Sequence, residues 1–203
     1  MKLVIESRIG LVAWTVLTIM MPWNPALAAK PSQLDLSKGE SRVEFVAIGK
    51  PSAIKIKGTG GPMQGLVKVA DSGVTGTLNF DLNSLDTGIA LRNEHMKVKY
   101  LQTSQNPTAQ LTLTRVALPL GWSEKKERVE GADFEGKLKL HGVEKPVVGK
   151  ISVLPEGTMM GGSAEFKIKI SDFGIDVPSY AGITVTDEVQ IQTSFKAPME
   201  QTN

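Results

Sequence analysis

The sequence has no cysteine and only two histidines, His95 and His141, among its 203 residues. The first absence excludes disulfides, thiolate-bound zinc, cysteine-ligated iron–sulfur clusters and a cysteine nucleophile. The second excludes a three-histidine metal site within one chain. An excess of one charge is also missing. The 23 Lys and Arg against 21 Asp and Glu leave +2, too little to mark a nucleic-acid-binding surface. Catalytic signatures are lacking: there is no G-x-S-x-G elbow and no H-E-x-x-H pair. The glycine-rich stretch 58–65 has no Gly-Lys-Ser/Thr and no helix after it, and the carboxylates form no obvious inward pair for glycoside hydrolysis. What remains is an ordinary globular composition, 41% hydrophobic and 22% charged, with 20 glycines for tight turns.

Residues 1–28 read as a cleaved export signal. Lys2 and Arg8 precede an uncharged run from Ile9 to Met21, too short for the roughly 20 residues of a spanning helix. Pro22 and Pro25 break it, and Ala26-Leu27-Ala28 supplies the small-x-small cleavage pattern. Cleavage takes away two basic residues, one acidic residue, Trp14 and Trp23. It leaves one domain, 29–203, of 175 residues and net charge +1, with Trp122 as its sole tryptophan. The expected compartment is the periplasm.

Period-two alternation dominates that domain. Ile54-Lys55-Ile56-Lys57, Lys137-Leu138-Lys139-Leu140 and Phe166-Lys167-Ile168-Lys169-Ile170 each put apolar groups on one face and lysines on the other. One dry and one wet face is the antiparallel pattern. Nine runs qualify, at 43–49, 53–58, 65–70, 73–82, 109–118, 132–140, 147–154, 163–170 and 188–197. A count of about eight strands requires one pair to be a single bent strand. Residues 89–100 lack alternation and read as a poorly capped helix. Lys125-Lys126-Glu127-Arg128 reads as the solvated tip of a long hairpin. The expected fold is all-β: an antiparallel eight-stranded barrel, closed to remove its edges, with one short inserted helix.

Five of six phenylalanines fall on the apolar faces, so the interior is greasy. Gly136, Gly149 and Thr193 share those faces. Either the glycines mark sharp bends in a packed core, or the small residues leave room for an apolar ligand. The outward lysines serve solubility and guard edges, or meet anionic headgroups. His141 reads as a turn residue. Arg92, Glu94 and His95 lie within one helical turn, placed to meet a polar head at a barrel mouth.

The order of motifs adds a resemblance. Asn83-Ser84-Leu85-Asp86-Thr87-Gly88 followed by Leu91-Arg92-Asn93-Glu94-His95-Met96 resembles the S-l-D-T-G … R-D-E-H-L signature of the YceI-like family. The stretch from Gly136 to Val147, with Leu140-His141-Gly142-Val143 at its centre, resembles that family's G-x-L-T-l-h-G-v-t-k-P-V. Ile170-Ser171-Asp172-Phe173-Gly174-Ile175 is similar to its r-s-D-F-G-l, and Thr186-Asp187-Glu188-Val189 to its closing v-g-d-e-V. The resemblance covers about 40–197. The resemblance implies a lipocalin-like exported barrel, often dimeric, whose tunnel holds a polyisoprenoid such as an isoprenoid quinone or polyprenyl phosphate, without enzymatic activity. It implies that Arg92 meets a phosphate or carboxylate head, that His95 hydrogen-bonds a quinone carbonyl, and that Glu94 orients them. Asn93 stands where the family has Asp. Lys99-Tyr100-Leu101-Gln102 and Ala109-Gln110-Leu111 replace aromatic-rich stretches, which widens the tunnel or lowers its specificity.

The resulting expectation is a periplasmic carrier of an isoprenoid or other long apolar lipid, with no resident cofactor and no nucleic-acid partner, and with transient membrane contact. The expected wall is Phe45, Phe80, Leu111, Leu113, Leu138, Ile151, Phe166, Ile168, Ile191 and Phe195, with Arg92 and His95 at the head and helix 89–100 as lid. Two other readings stand beside it: a packed interaction or stress-protective barrel without ligand, and an enzyme acting on a lipid head through His95.

Overall fold

The computed structural model describes residues 31–51, 54–70, 73–180 and 182–201. The signal read at 1–28 lies outside them. Eleven strands are found among the described residues: β1 (Ser32–Asp35), β2 (Glu40–Lys50), β3 (Ile54–Gly60), β4 (Met63–Ala70), β5 (Gly73–Asp81), β6 (Thr108–Val116), β7 (Val129–Leu140), β8 (Val143–Glu156), β9 (Met159–Lys169), β10 (Ser179–Tyr180) and β11 (Ile183–Gln201). All pairings are antiparallel. β1, β4 to β9 and β11 close into an eight-stranded ring, because β1 pairs with both β4 and β11. The long β11 then runs past β1 and carries the β2–β3 hairpin on the same edge. The nine strands expected from alternation are nine separate strands. The eight-strand closure comes from β1, which alternation did not mark: it is four residues long, and Leu34 is its only apolar residue.

The expected helix is present and has two parts. Ala90–Glu94 (α1) is α-helical, and His95–Tyr100 continues it with a wider π-type turn. Trp122–Lys125 (α2) adds one turn in the β6–β7 connection. The indole of Trp122 is buried there, and its Nε1 donates to the Glu127 carbonyl at 2.6 Å. The charge run is therefore anchored from beneath. The outward lysines are exposed, as alternation requires, and two of them pair across strands: Lys167 with Glu188 at 2.8 Å and Lys137 with Glu144 at 3.6 Å. Exposed pairs of this kind contribute at most about 1 kcal/mol each.

Glycines decide how the interior fills. One register row crosses five strands as Gly149, Phe166, Ile191, Phe45 and Gly58. A Cβ at Gly58 would meet the Phe45 ring at 2.2 Å, and one at Gly149 would meet Phe134 at 2.6 Å and the Glu165 carbonyl at 2.3 Å. A second row alternates Val67, Gly76, Leu113, Gly136 and Val147. A Cβ at Gly136 would meet the Thr112 carbonyl at 2.8 Å and Leu111 at 3.2 Å. Gly136 and Gly149 therefore do not leave room, which corrects one basis for expecting space. They admit close strand approach and neighbouring rings, so large and small groups interdigitate there.

This sets a contrast between two positions in β8 and β9. Gly149→Ala is expected to destabilise the protein by about 1–3 kcal/mol through overpacking. Gly161→Ala, whose nearest neighbours would lie at 3.6 and 3.8 Å, is expected to be neutral or slightly stabilising, within about 1 kcal/mol. Thermal unfolding followed by Trp122 fluorescence checks both. Equal losses would show that the Gly149 crowding is not what limits the core.

Candidate functional site

The barrel is full in one half and hollow in the other. The full half holds Leu113, Phe134, Val153, Met160 and Ala197. The hollow half contains a cavity of ≈ 600 Å³, within the usual size range of small-molecule sites. Phe166 is the floor between them. Its ring meets Phe134 edge-on, with centroids 5.9 Å apart and planes at 88°.

Nine of the twelve residues expected at the site are brought together in this wall: Phe45, Phe80, Arg92, His95, Leu111, Leu138, Phe166, Ile168 and Ile191. Leu113, Ile151 and Phe195 are not. They share the inward faces of β6, β8 and β11 but lie further along the strands, on the packed side. The Phe195 ring occupies the space over Gly162, where a Cβ would meet it at 2.5 Å. Alternation gives the face a residue takes and not its depth, which is why these three were grouped with the rest.

The wall also takes strand residues outside the expected set, such as Met63, Leu78 and Val189, and residues from irregular segments. Met96, Tyr100, Leu101, Ile170, Ile175 and Pro178 all face the cavity. The π-type turn explains four inward residues in one short helix. Leu101 N–H donates to the Met96 carbonyl at 2.8 Å, five residues back. Such winding stacks residues five apart, so His95 lies over Tyr100 and Met96 over Leu101. In an ordinary α-helix these pairs would diverge. The sequence marked these segments through the non-alternating run 89–100, read as a helical lid, and through the motif at 170–175.

The four motifs meet at the cavity end of the barrel. In the first, the Asn93 amide is a hub. Its Oδ1 accepts from Thr87 N–H at 2.8 Å and from Thr87 Oγ1 at 2.7 Å, while its Nδ2 donates to Asp86 Oδ1 at 2.6 Å. Only an amide both donates and accepts in this way, so Asn93 fits this chain's loop where a carboxylate would face Asp86. The loop also pairs with the edge strand β3 through Thr59 and Asp86 backbone bonds at 2.7 and 2.8 Å. In the second motif His141 takes a left-handed φ of +51° in the two-residue β7–β8 turn, and its Nδ1 donates to the Phe173 carbonyl of the third motif at 3.1 Å. The fourth supplies Asp187, whose carboxylate accepts from Ser171 N–H at 2.9 Å and Ser171 Oγ at 2.7 Å.

Arg92 extends from α1 into the cavity wall. One terminal nitrogen donates to the Thr87 carbonyl at 2.5 Å. Its Nε is buried and has no partner. No carboxylate lines the cavity among the described residues. At the mouth stand Ile54, Ile89 and Leu91, apolar wall residues that are 45–52% exposed.

Residues 34–197 match the YceI-like domain. The chain belongs to that family. Its relatives include a UPF0312 protein of Pseudomonas aeruginosa (strain LESB58), 32% identical over 105 residues, 48% of this chain and 50% of the relative. Another, from Photorhabdus laumondii, is 35% identical over 97 residues, 44% of this chain and 46% of the relative. The chain thus spans about half the length of these curated relatives in the matched region. Among solved structures, Burkholderia cenocepacia BcnA superposes with a TM-score of 0.64 at 23% identity, covering 81% of this chain and 99% of that one. A polyisoprenoid binding domain from Saccharophagus degradans gives 0.58 at 19% identity, covering 86% and 99%. At these identities the likeness establishes the fold. The YceI-like motifs are, in this chain, the fastenings of the mouth.

Two of the fastenings are acid-sensitive. The Gly88 N–H and then the Asn93 amide hold the Asp86 carboxyl below its ordinary range, and Ser171 does the same for Asp187 through its hydroxyl and N–H. A folded-state value below the unfolded one gives a contribution that is complete above the ordinary carboxylate range. It fades as pH falls below about 4 and through the folded value. The amide proton signals of Gly88 and Ser171 are therefore expected to titrate with midpoints below that of a free aspartate. Asn93→Asp is expected to move the Asp86 midpoint upward. Unchanged midpoints in NMR titrations would dissociate the clamp from these carboxylates.

Proposed function

We propose that this protein is a carrier that holds an apolar chain-like lipid in the hollow half of its barrel. The observation that carries the reading is a greasy cavity of ≈ 600 Å³ whose wall includes the Arg92 side chain and no carboxylate among the described residues. An apolar body with an acceptor head satisfies both parts of that wall. Arg92 meets an anionic or carbonyl oxygen, and the apolar wall removes the chain from water at about 0.8 kcal/mol per methylene. His95, on the same helix face, is placed to add a hydrogen bond to the head. The fold likeness to a domain described as polyisoprenoid-binding supports a chain-like ligand. The absence of wall carboxylates among the described residues supports an anionic head.

The reading includes export to the periplasm through the 1–28 signal. It also gives Ile54, Ile89 and Leu91 a role: an apolar threshold over which a lipid passes during brief contact with a membrane.

Native mass spectrometry of protein from its exporting host, followed by solvent extraction, tests the proposal. A stoichiometric lipid adduct is expected. Leu138→Trp and Ile168→Trp place bulk into the cavity itself, so the adduct is expected to fall at least tenfold while circular dichroism stays native. A bare mass that persists after incubation with quinones, fatty acids and polyprenyl phosphates would favour a barrel without ligand. Loss of turnover on some lipid in His95→Ala, with binding retained, would instead point to an enzyme.

A further inference from the structure

We propose that the cavity is a blind pocket for one single-chain amphiphile with an anionic head at the mouth, and that chains much longer than about 20 carbons do not enter fully. The inference rests on the carrier reading and goes beyond it in fixing ligand length, orientation and chain number.

Three observations lead there. The first is the floor. Phe166 closes the cavity, Phe134 stands edge-on behind it, and Gly149 leaves no space for even a methyl group beside them. Phe134 is 1% exposed, so the floor rests on solid core rather than on a second opening. A chain therefore cannot thread through the barrel. The second is volume. At about 30 Å³ per methylene-sized group, the share a water molecule takes in the liquid, ≈ 600 Å³ holds on the order of 20 non-hydrogen atoms. That is one acyl chain or about four isoprene units. A two-chain lipid or a long polyprenol exceeds it. The third is polarity. Arg92 lines the cavity on the helical segment that carries the half-exposed Ile89 and Leu91. Its bond to the Thr87 carbonyl fixes the guanidinium, and no carboxylate in the cavity wall answers its charge among the described residues. A head anchored there sends its tail toward the floor, and surplus chain has to remain in the mouth.

The experiment is isothermal titration of the delipidated mature protein with fatty acids of increasing length, and with polyprenyl phosphates from geranyl to undecaprenyl. Affinity is expected to rise roughly fourfold per added methylene, then to level off near 20 carbons. A primary alcohol is expected to bind about tenfold more weakly than the acid of equal length, and Arg92→Gln to remove that difference. Phe166→Ala is expected to move the plateau to longer chains; if it does not fold, the series on the native protein still decides. Affinity that keeps climbing through the octaprenyl and undecaprenyl lengths would overturn the blind pocket and leave the carrier reading standing. Failure of every chain at every length would overturn the carrier reading itself.

Discussion

The fit of aromatic rings onto bare backbone governs this barrel. Phe45 lies over Gly58, Phe195 over Gly162, and Phe134 and Phe166 crowd around Gly149. Each glycine lacks the Cβ that would hold a ring away, so the rings sink toward the wall: Phe134 and Phe195 on the filled side, Phe45 in the cavity wall, and Phe166 between them. The hollow half keeps its middle open although Phe45 and Phe80 stand in its wall, among aliphatic side chains and the small Ala109 and Thr193. A barrel of eight strands has about the width at which filling or hollowing is decided by side-chain choice, and here both outcomes occur within one ring. The Phe134–Phe166 edge contact marks the boundary.

A hollow half is a weak half, because the cavity forfeits the packing contacts that stabilise an ordinary core. The polar fastenings at the mouth offset part of that loss. Asn93 ties the loop before α1, His141 ties the turn at Ile170–Phe173, and Asp187 ties the same turn to the start of β11. They are distant in sequence and adjacent in space. This is a physical reason for four motifs with no catalytic chemistry to lie at one end of the barrel: without them, segments 82–101 and 170–185 would have little but apolar contact across an empty space to hold them.

The same division accounts for what was readable from the sequence. Strand faces repeat every two residues, so alternation located nine strands and assigned lysines outward and phenylalanines inward. Closure was inferred from the cost of open edges, but the strand that performs it, β1, is specified by its two partners and not by its own four residues. Depth along the barrel has no period. Leu111 and Leu113 look equivalent in sequence, yet one lines the cavity and the other sits under its floor. The lid side was partly recoverable through the break in alternation over 89–100 and through motif order, and the wide turn that brings His95, Met96, Tyr100 and Leu101 onto one face had no signature in composition.

Arg92 makes sense only against this background. Leaving a buried donor unpartnered costs about 1–3 kcal/mol, and the cost is higher for a charged group in an apolar wall without a nearby carboxylate. The chain could shed that cost by pairing Arg92 with Glu94, two residues away on the same helix. Residues two apart on a helix do not face each other, and Glu94 is exposed while Arg92 turns inward. The helix thus separates the one acid close enough in sequence to neutralise the cation. It leaves a guanidinium held by the Thr87 carbonyl in a wall with no carboxylate among the described residues, a cost that an acceptor on a bound ligand would offset.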